Sequence, residues 1–299
     1  MLKKTTKTFP HMIVEAYDVG GTWTRGALIS QEGMLIRIQE RTTENFVRQI
    51  KSLSERLRMD ATPDIVSVAV PGPVKDGILL SAPPLKRKTP INIAEELSGL
   101  EREIIVENDL NAAVLAELHL GYGRKWQNFY LLTLSTGIGA GIVLHGQTVK
   151  GGEFGHCYIR GSLDNEQRLC DCGKRGCWSA YASGRGVERI TAEELKGATV
   201  ETIFSIPRDK SRRRNRIAEE IRASVRSANA QGLALMINAI DIEGIVVMGA
   251  LGLKHFAKVI PDKEQIERYA INPIPEIVKT KLGDNIGLLG AYYIATQKA

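Results

Sequence analysis

Cysteine is scarce in this 299-residue chain: there are four, and all lie between Cys157 and Cys177. A disulfide framework spread across the fold is therefore excluded. Aromatic residues are also few, at 6%, and none interrupts the basic run Arg208–Arg216 (RDKSRRRNR). Without rings beside it, that run reads as a solvated loop and helix start, and no nucleic-acid partner is expected. No apolar stretch reaches the length that spans a bilayer, so no membrane partner is expected either. The basic start MLKKTTKTFPHM leads straight into IVEAYDVGG, with no h-region or cleavage site between them. The expected setting is the reducing cytoplasm. A Walker A loop is missing as well, because no glycine-rich turn ends in Gly-Lys-[Ser/Thr].

What remains is an ordinary globular composition, 43% apolar and 25% charged, enough to build a core. The net charge of +6 would suit an anionic ligand, although much of the excess sits in the basic run.

The cysteine window carries the strongest signal. Cys170-x-Cys172-x4-Cys177, with His156 upstream, is a metal-ligand grouping, because thiolates and imidazole suit tetrahedral zinc. Gly173 and Gly176 let the loop turn tightly. Two ligand sets are open on chemistry alone: His156 with Cys170, Cys172 and Cys177, or all four cysteines. Neighbouring positions on a strand face opposite ways, which argues against His156 and Cys157 acting together. Two disulfides, or plain reduced thiols, are the competing readings.

Along the chain, apolar runs predict strands over Met12–Tyr17, Gly26–Ile29 and Met34–Gln39, with a glycine turn between the first two. Phe46, Ile50, Leu53 and Leu57 fall at helical spacing, with Thr42 or Thr43 as the expected cap. Asp64–Val70 and Glu103–Val106 read as strands flanking a short helix near Ile93–Leu97. The second half opens in the same way, with a strand over Phe129–Leu134, a glycine-rich segment and a strand over Ile142–His145. Ile217, Ile221, Val225 and Ala228 then mark a long helix, Ile245–Met248 a buried strand, and Asn285–Thr296 a closing helix rich in small residues. A glycine-rich turn between the first two strands thus occurs twice. Such duplication points to two lobes and a cleft.

Five places carry candidate chemistry. In Asp18-x-Gly20-Gly21-Thr22-x-Thr24 the glycines can expose N–H groups to phosphate oxygens, the threonines can add hydroxyls, and Asp18 can hold Mg²⁺ directly or through water. Thr136-Gly137 begins a second phosphate cradle. Gly249-Ala250 follows a buried strand, where small residues allow adenine or ribose to approach the backbone. Asn108-Asp109 stands where a strand meets a helix; Asp109 can accept a proton from an attacking hydroxyl, or simply cap the helix. Glu153 can hydrogen-bond a polyol, and His156 can offer one ring nitrogen to metal and the other to substrate.

These pieces, in this order, resemble the ROK family of repressors, open reading frames and sugar kinases, within the actin, sugar kinase and Hsp70 superfamily. Asp18-Val-Gly-Gly-Thr resembles its first phosphate motif, and Leu134-Ser-Thr-Gly-Ile-Gly-Ala-Gly its second. Val106-Glu-Asn-Asp-Leu-Asn-Ala-Ala resembles the segment carrying its catalytic aspartate. Gly152-Glu-Phe-Gly-His with Cys170-x-Cys-Gly-x-x-Gly-Cys resembles its substrate-and-zinc signature, and Val247-Met-Gly-Ala-Leu-Gly its adenosine motif. The match covers nearly the whole chain.

The resemblance implies an α/β, two-lobed actin-like fold: a duplicated ribonuclease H-like β-β-β-α-β-α unit with an inter-lobe cleft. The expected N-terminal lobe is 1–112, with the helix 285–299 packing back on it; the expected C-terminal lobe is 113–284, with a zinc loop at 153–179. The implied activity is ATP-dependent phosphorylation of a sugar hydroxyl, with Mg²⁺ accompanying ATP and a structural Zn²⁺. Asp109 becomes the base, Asn108, Glu153 and His156 become sugar contacts, and zinc falls to His156, Cys170, Cys172 and Cys177, leaving Cys157 a bystander. The implied assembly is a homodimer or homotetramer, and no helix-turn-helix precedes Met12, which sets aside the repressor branch.

Two positions depart from the pattern. The family's glutamate two residues after the last zinc cysteine is Ser179 here, and a frequent asparagine is Pro84, followed by Lys86, Arg87 and Lys88. The expected acceptor is glucose or several hexoses, with an N-acetylhexosamine as the alternative. Further alternatives are an anionic acceptor drawn to the basic cluster and a non-catalytic sugar sensor.

Overall fold

A computed structural model describes residues 12–59, 61–82, 85, 87, 89–100, 102–160, 167–206 and 213–298. Pro84, Lys86, Lys88, the N-terminal basic stretch through His11 and residues 208–212 of the basic run lie outside the described residues. The described residues divide into two compact units: unit 1 comprises those up to Gly121 and from Leu282 onward, and unit 2 is Tyr122–Lys281.

Unit 1 begins with β1 (Val14–Val19), β2 (Trp23–Ser30) and β3 (Gly33–Arg41), continues through α1 (Phe46–Leu57) and β4 (Ile65–Val70), then forms three two-residue strands, β5 (Val74–Lys75), β6 (Ile78–Leu79) and β7 (Ile91–Asn92). It continues with α2 (Ile93–Glu96), β8 (Glu103–Asn108) and α3 (Asp109–Leu120). The main sheet has the order β3-β2-β1-β4-β8. β1 runs antiparallel to β2 and parallel to β4. Alternation along β1 sends Tyr17 and Val19 into a core with α1, and Val14 and Ala16 into a core with α3 and the C-terminal helix. Asp18 shares the second face, at the strand's end.

Unit 2 contains β9 (Phe129–Leu134), β10 (Ile138–Leu144), β11 (Gln147–Val149), α4 (Ser179–Ala182), α5 (Gly184–Glu194), α6 (Val200–Ser205), α7 (Arg213–Ala239), β12 (Gly244–Met248), α8 (Ala250–Val259), α9 (Lys263–Glu267) and β13 (Glu276–Lys279). Its sheet order, β11-β10-β9-β12-β13, repeats that of unit 1 strand for strand, including two antiparallel and two parallel pairings. The chain closes in unit 1 with α10 (Ile286–Lys298).

The structure corrects several sequence expectations. Asn45, not Thr42 or Thr43, caps α1, its side chain accepting from the Arg48 N–H at 3.0 Å. Thr42 is committed elsewhere: its hydroxyl donates to the Gly20 carbonyl at 2.6 Å. β10 starts at Ile138 rather than Ile142, so Gly139 and Gly141 are strand residues and the turn is confined to Ser135–Gly137. A lobe boundary at 112/113 would cut through α3, which continues unbroken to Leu120; the chain passes from unit 1 to unit 2 after Gly121, and unit 1 resumes at Leu282. The small sheet β5-β6-β7 was not anticipated.

α10 packs closely on α3 because its contact residues are small. A methyl group on Gly290 would overlap the Ala112 carbonyl and lie 2.9 Å from the Ala112 Cα. Gly290→Ala should therefore cost about 1–3 kcal/mol by overpacking. Gly99→Ala, where a methyl meets nothing within 4 Å, should stay within about 0.5 kcal/mol of the parent. Denaturant midpoints at a common m-value check both.

Candidate functional site

In unit 1, the hairpin register places Arg25 directly opposite Asp18. Arg25 Nη1 donates to Asp18 Oδ2 at 3.0 Å. Burial raises the Asp18 pKa, and the Arg25 guanidinium partly offsets that rise. On its other side Asp18 lies against α10: a Cβ on Gly287 would be 2.7 Å from both carboxylate oxygens. Gly287 thus supplies room that any other residue would fill.

The turn after β1 has a different division of labour from the expected one. The Gly20 N–H donates to the Trp23 carbonyl at 2.9 Å, so it shapes the turn instead of offering itself to a phosphate. Thr24 is fully buried and its hydroxyl meets that of Thr42 at 3.1 Å, so Thr24 secures the hairpin and is not placed to touch ligand. Gly21 and Thr22 remain exposed.

Asn108, in extended backbone, caps α3. Its Oδ1 accepts from the N–H of Leu110 at 2.9 Å and of Asn111 at 3.1 Å, and its Nδ2 donates to the Gly72 carbonyl at 2.9 Å. Asp109 is consequently the first helical residue and not the cap. Its Oδ1 accepts from the Leu110 N–H at 2.9 Å. Burial, and then the negative charge of Asp18, push its pKa up to about 7. Glu107, missed in the sequence, organises this corner: its Oε1 accepts from the Asn108 N–H at 2.8 Å and from Asn111 Nδ2 at 3.0 Å. Arg25 could have been found from the sequence, because a hairpin centred between Gly21 and Thr22 sets it across from Asp18. Gly287 carried no local signal.

In unit 2, Thr136 and Gly137 are exposed at the turn between β9 and β10. Gly249 has φ of 87° and precedes Ala250, the first residue of α8; a Cβ there would lie 2.5 Å from the Leu134 carbonyl. Ala250 is exposed. The two glycine motifs therefore converge at the end of β9.

The ligand atoms of His156, Cys170, Cys172 and Cys177 all lie within 4.8 Å of one another. Cys172 and Cys177 Sγ are 3.6 Å apart, and Cys170 Sγ is 3.7 Å from His156 Nδ1. A tetrahedral centre with bonds of about 2.3 Å separates its ligands by about 3.8 Å, so the donor set fits such an ion. Cys157 is not part of the group. Burial pushes the Cys177 thiol up to about 12, so a metal bound there would have to displace a proton. His156 turns its other nitrogen, Nε2, toward Glu153 at 3.9 Å, and the Glu153 side chain is 85% exposed. Ser179 is buried, and its Oγ would lie 2.6 Å from a Cβ on Gly155.

Residues 14–298 match the family described as the ROK family. The chain belongs to the ROK family. It is 26% identical to a glucokinase of Thermotoga maritima, over 97% of this chain and 99% of that one. It is 29% identical to an N-acetylmannosamine kinase of Haemophilus influenzae, over 93% of each. Among solved structures, a ROK hexokinase of Thermus thermophilus superposes with a TM-score of 0.80 at 26% identity, covering 96% of this chain and 100% of that one. The architecture is the actin-like α/β fold of ROK sugar kinases. Among the described residues, no helix is long and apolar enough to cross a membrane.

The Asp109 pKa has a consequence for stability. With about 7 in the folded chain and about 3.9 unfolded, the unfolded state ionises first as pH rises, so this group lowers stability between those values and holds the loss above 7. Asp109→Asn removes that effect. The variant should melt above the parent at pH 8 and level with it near pH 4, as read by thermal unfolding across pH.

Proposed function

We propose that this ROK sugar kinase transfers the γ-phosphoryl group of ATP to a hydroxyl of glucose, or of several hexoses, with Asp109 as general base. The observation that carries this reading is the Asp109 carboxyl, part-buried at the start of α3 with a pKa of about 7. A base poised near neutrality takes a hydroxyl proton as the oxygen attacks, and later releases it. The Leu110 N–H donates to the carboxylate, Asn108 caps the helix that carries it, and Asp18 tunes it. In unit 1, the backbone N–H groups of Gly21 and Thr22 would meet phosphate oxygens while Gly20 shapes their turn. In unit 2, Thr136 and Gly137 would do the same, and Gly249 and Ala250 would leave room for adenosine. Asp18 Oδ1, the oxygen that Arg25 does not take, would hold Mg²⁺ directly or through water; that ion offsets charge on the β- and γ-phosphates. Asn108, Glu153 and His156 would contact the sugar.

The His156, Cys170, Cys172 and Cys177 group would hold zinc in a structural role, fixing the loop that carries Glu153. A closed four-ligand set with no water position supports structure over chemistry. A second reading of the acceptor, an N-acetylhexosamine, is favoured by the 29% identity to the H. influenzae N-acetylmannosamine kinase. We infer a homodimer or homotetramer, as the family resemblance implies.

A coupled ADP-release assay with Mg-ATP over hexoses and N-acetylhexosamines tests the activity; no turnover on any of them sinks the reading. Asp109→Asn should lower kcat by about 10²–10⁴-fold while leaving Mg-AMPPNP affinity unchanged. The parent kcat/KM should rise with pH through about 7, where Asp109 loses its proton. Elemental analysis should find one zinc per chain, lost in Cys172→Ser and kept in Cys157→Ser; chelation should lower Tm.

A further inference from the structure

A row of polar contacts inside unit 2 joins the cysteine loop to the Ser135–Gly137 turn. Asp171 stands between Cys170 and Cys172. Its carboxylate accepts from Arg185 Nη1 at 3.2 Å and from Arg189 Nη2. Arg189 Nη1 also donates to the Leu169 carbonyl at 3.1 Å, and Arg168 Nη1 donates to Glu193 Oε2 at 2.7 Å. Arg185, Arg189 and Glu193 recur every four residues, so one face of α5 lies along residues 168–171.

The start of the same helix is docked on the turn. The Gly184 N–H donates to the Ser135 carbonyl at 2.7 Å, and the Arg185 N–H to the Thr136 carbonyl at 3.2 Å. The approach leaves no space for a side chain at 184, where a Cβ would lie 2.9 Å from the Ser135 oxygen. Ser183 Oγ accepts from the Gly186 N–H at 3.1 Å and donates to the Ser179 carbonyl at 2.6 Å, two residues after Cys177. Arg185 makes both connections: its guanidinium reaches the cysteine loop and its backbone reaches the turn.

We propose that Arg185 is a positioning residue for the nucleotide's phosphates, fastening the Thr136–Gly137 turn to the cysteine loop through Asp171, so that order in that loop is felt as nucleotide affinity. The proposal rests on the reading of that turn as a phosphate holder. A lone exposed ion pair contributes little. Here one carboxylate is shared by two guanidiniums a helical turn apart, and two further contacts extend the row. A turn already held in place also has less ordering to supply when the phosphates bind.

The test is calorimetric titration of the full, zinc-loaded chain with Mg-AMPPNP, with zinc content and KM for sugar measured alongside. Arg185→Ala and Asp171→Asn should each raise Kd by about 5-fold, roughly 1 kcal/mol, and the double variant should raise it no further, because both break one link. Zinc content and KM for sugar should hold, hydrogen exchange over residues 133–139 should quicken, and Glu188→Ala on the exposed face of α5 should change nothing. An unchanged Kd in Arg185→Ala overturns the proposal. So does an unchanged or tighter Kd in Asp171→Asn, the pattern expected if Arg185 touched phosphate itself. Gly137→Ala separates the two ideas, since a methyl there meets nothing of the protein within 4 Å. If it weakens binding while Arg185→Ala does not, the positioning role alone fails; if neither does, the phosphate reading of the turn fails with it.

Discussion

The absence of side chains at two positions of α10 is the constraint on which unit 1 depends. Gly287 gives the Asp18 carboxylate its place, and Gly290 lets α10 sit on the backbone of α3 at Ala112. One helix therefore sets the positions of both the strand that carries Asp18 near its end and the helix that begins at Asp109. The electrostatics follow from this packing. Two carboxylates share a part-buried corner, guanidiniums, chiefly that of Arg25, compensate one of them, and the other is left with its proton held to about 7. The arrangement is unfavourable for stability and useful for proton transfer, the kind of compromise that concentrates at functional sites. The rest of unit 1, with its alternating apolar strands and amphipathic α1, supplies the offsetting burial.

Unit 2 uses the same sheet topology but secures its turn differently. In unit 1 the turn after β1 is held by its own Gly20–Trp23 backbone bond and by Thr42, whose hydroxyl bonds the Gly20 carbonyl and meets the buried Thr24 and whose N–H donates to the Thr22 carbonyl. In unit 2 the turn after β9 is held by backbone N–H groups at the start of α5. The unit 1 contacts stay among the first three strands and Thr42, which follows them. A helix, by contrast, transmits its placement along its length, and the far contacts of α5 are with the cysteine loop. The duplicated topology therefore leads to two turns of similar shape whose stability has different origins.

The sequence was most legible where pattern and chemistry coincide. Alternation in β1 and helical spacing in α1 are properties of single elements, and four thiol and imidazole donors in a short window have few other uses. Legibility failed where neighbouring residues compete for one role. Thr42, Thr43 and Asn45 can all cap a helix, and the choice of Asn45 followed from the recruitment of Thr42 by the Gly20 carbonyl, a contact between residues 22 apart. Asn108 and Asp109 competed in the same way. The extended backbone at Asn108 (φ −63°, ψ 140°) gave it the cap and released the Asp109 carboxylate. Glycines concealed the start of β10, since Gly139 and Gly141 read as turn residues until the pairing with β9 is seen. Gly287 was invisible because its role is to be small beside a residue more than 260 positions away.

The hydrogen-bond inventory also bears on acceptor choice. Asn108 has committed its carbonyl oxygen to two N–H groups and one amide hydrogen to Gly72, which leaves a single donor for a polyol. The Ser179 hydroxyl, where the family pattern has a carboxylate, is buried against Gly155 and can reach little. Glu153 is the exposed exception, a flexible acceptor-only group. Sharp discrimination among sugars comes from buried polar groups that are left unpaired by the wrong one. With few such groups, the site would penalise a changed hydroxyl weakly. If Asn108, Glu153 and His156 are the sugar contacts proposed above, their chemistry favours several hexoses over one.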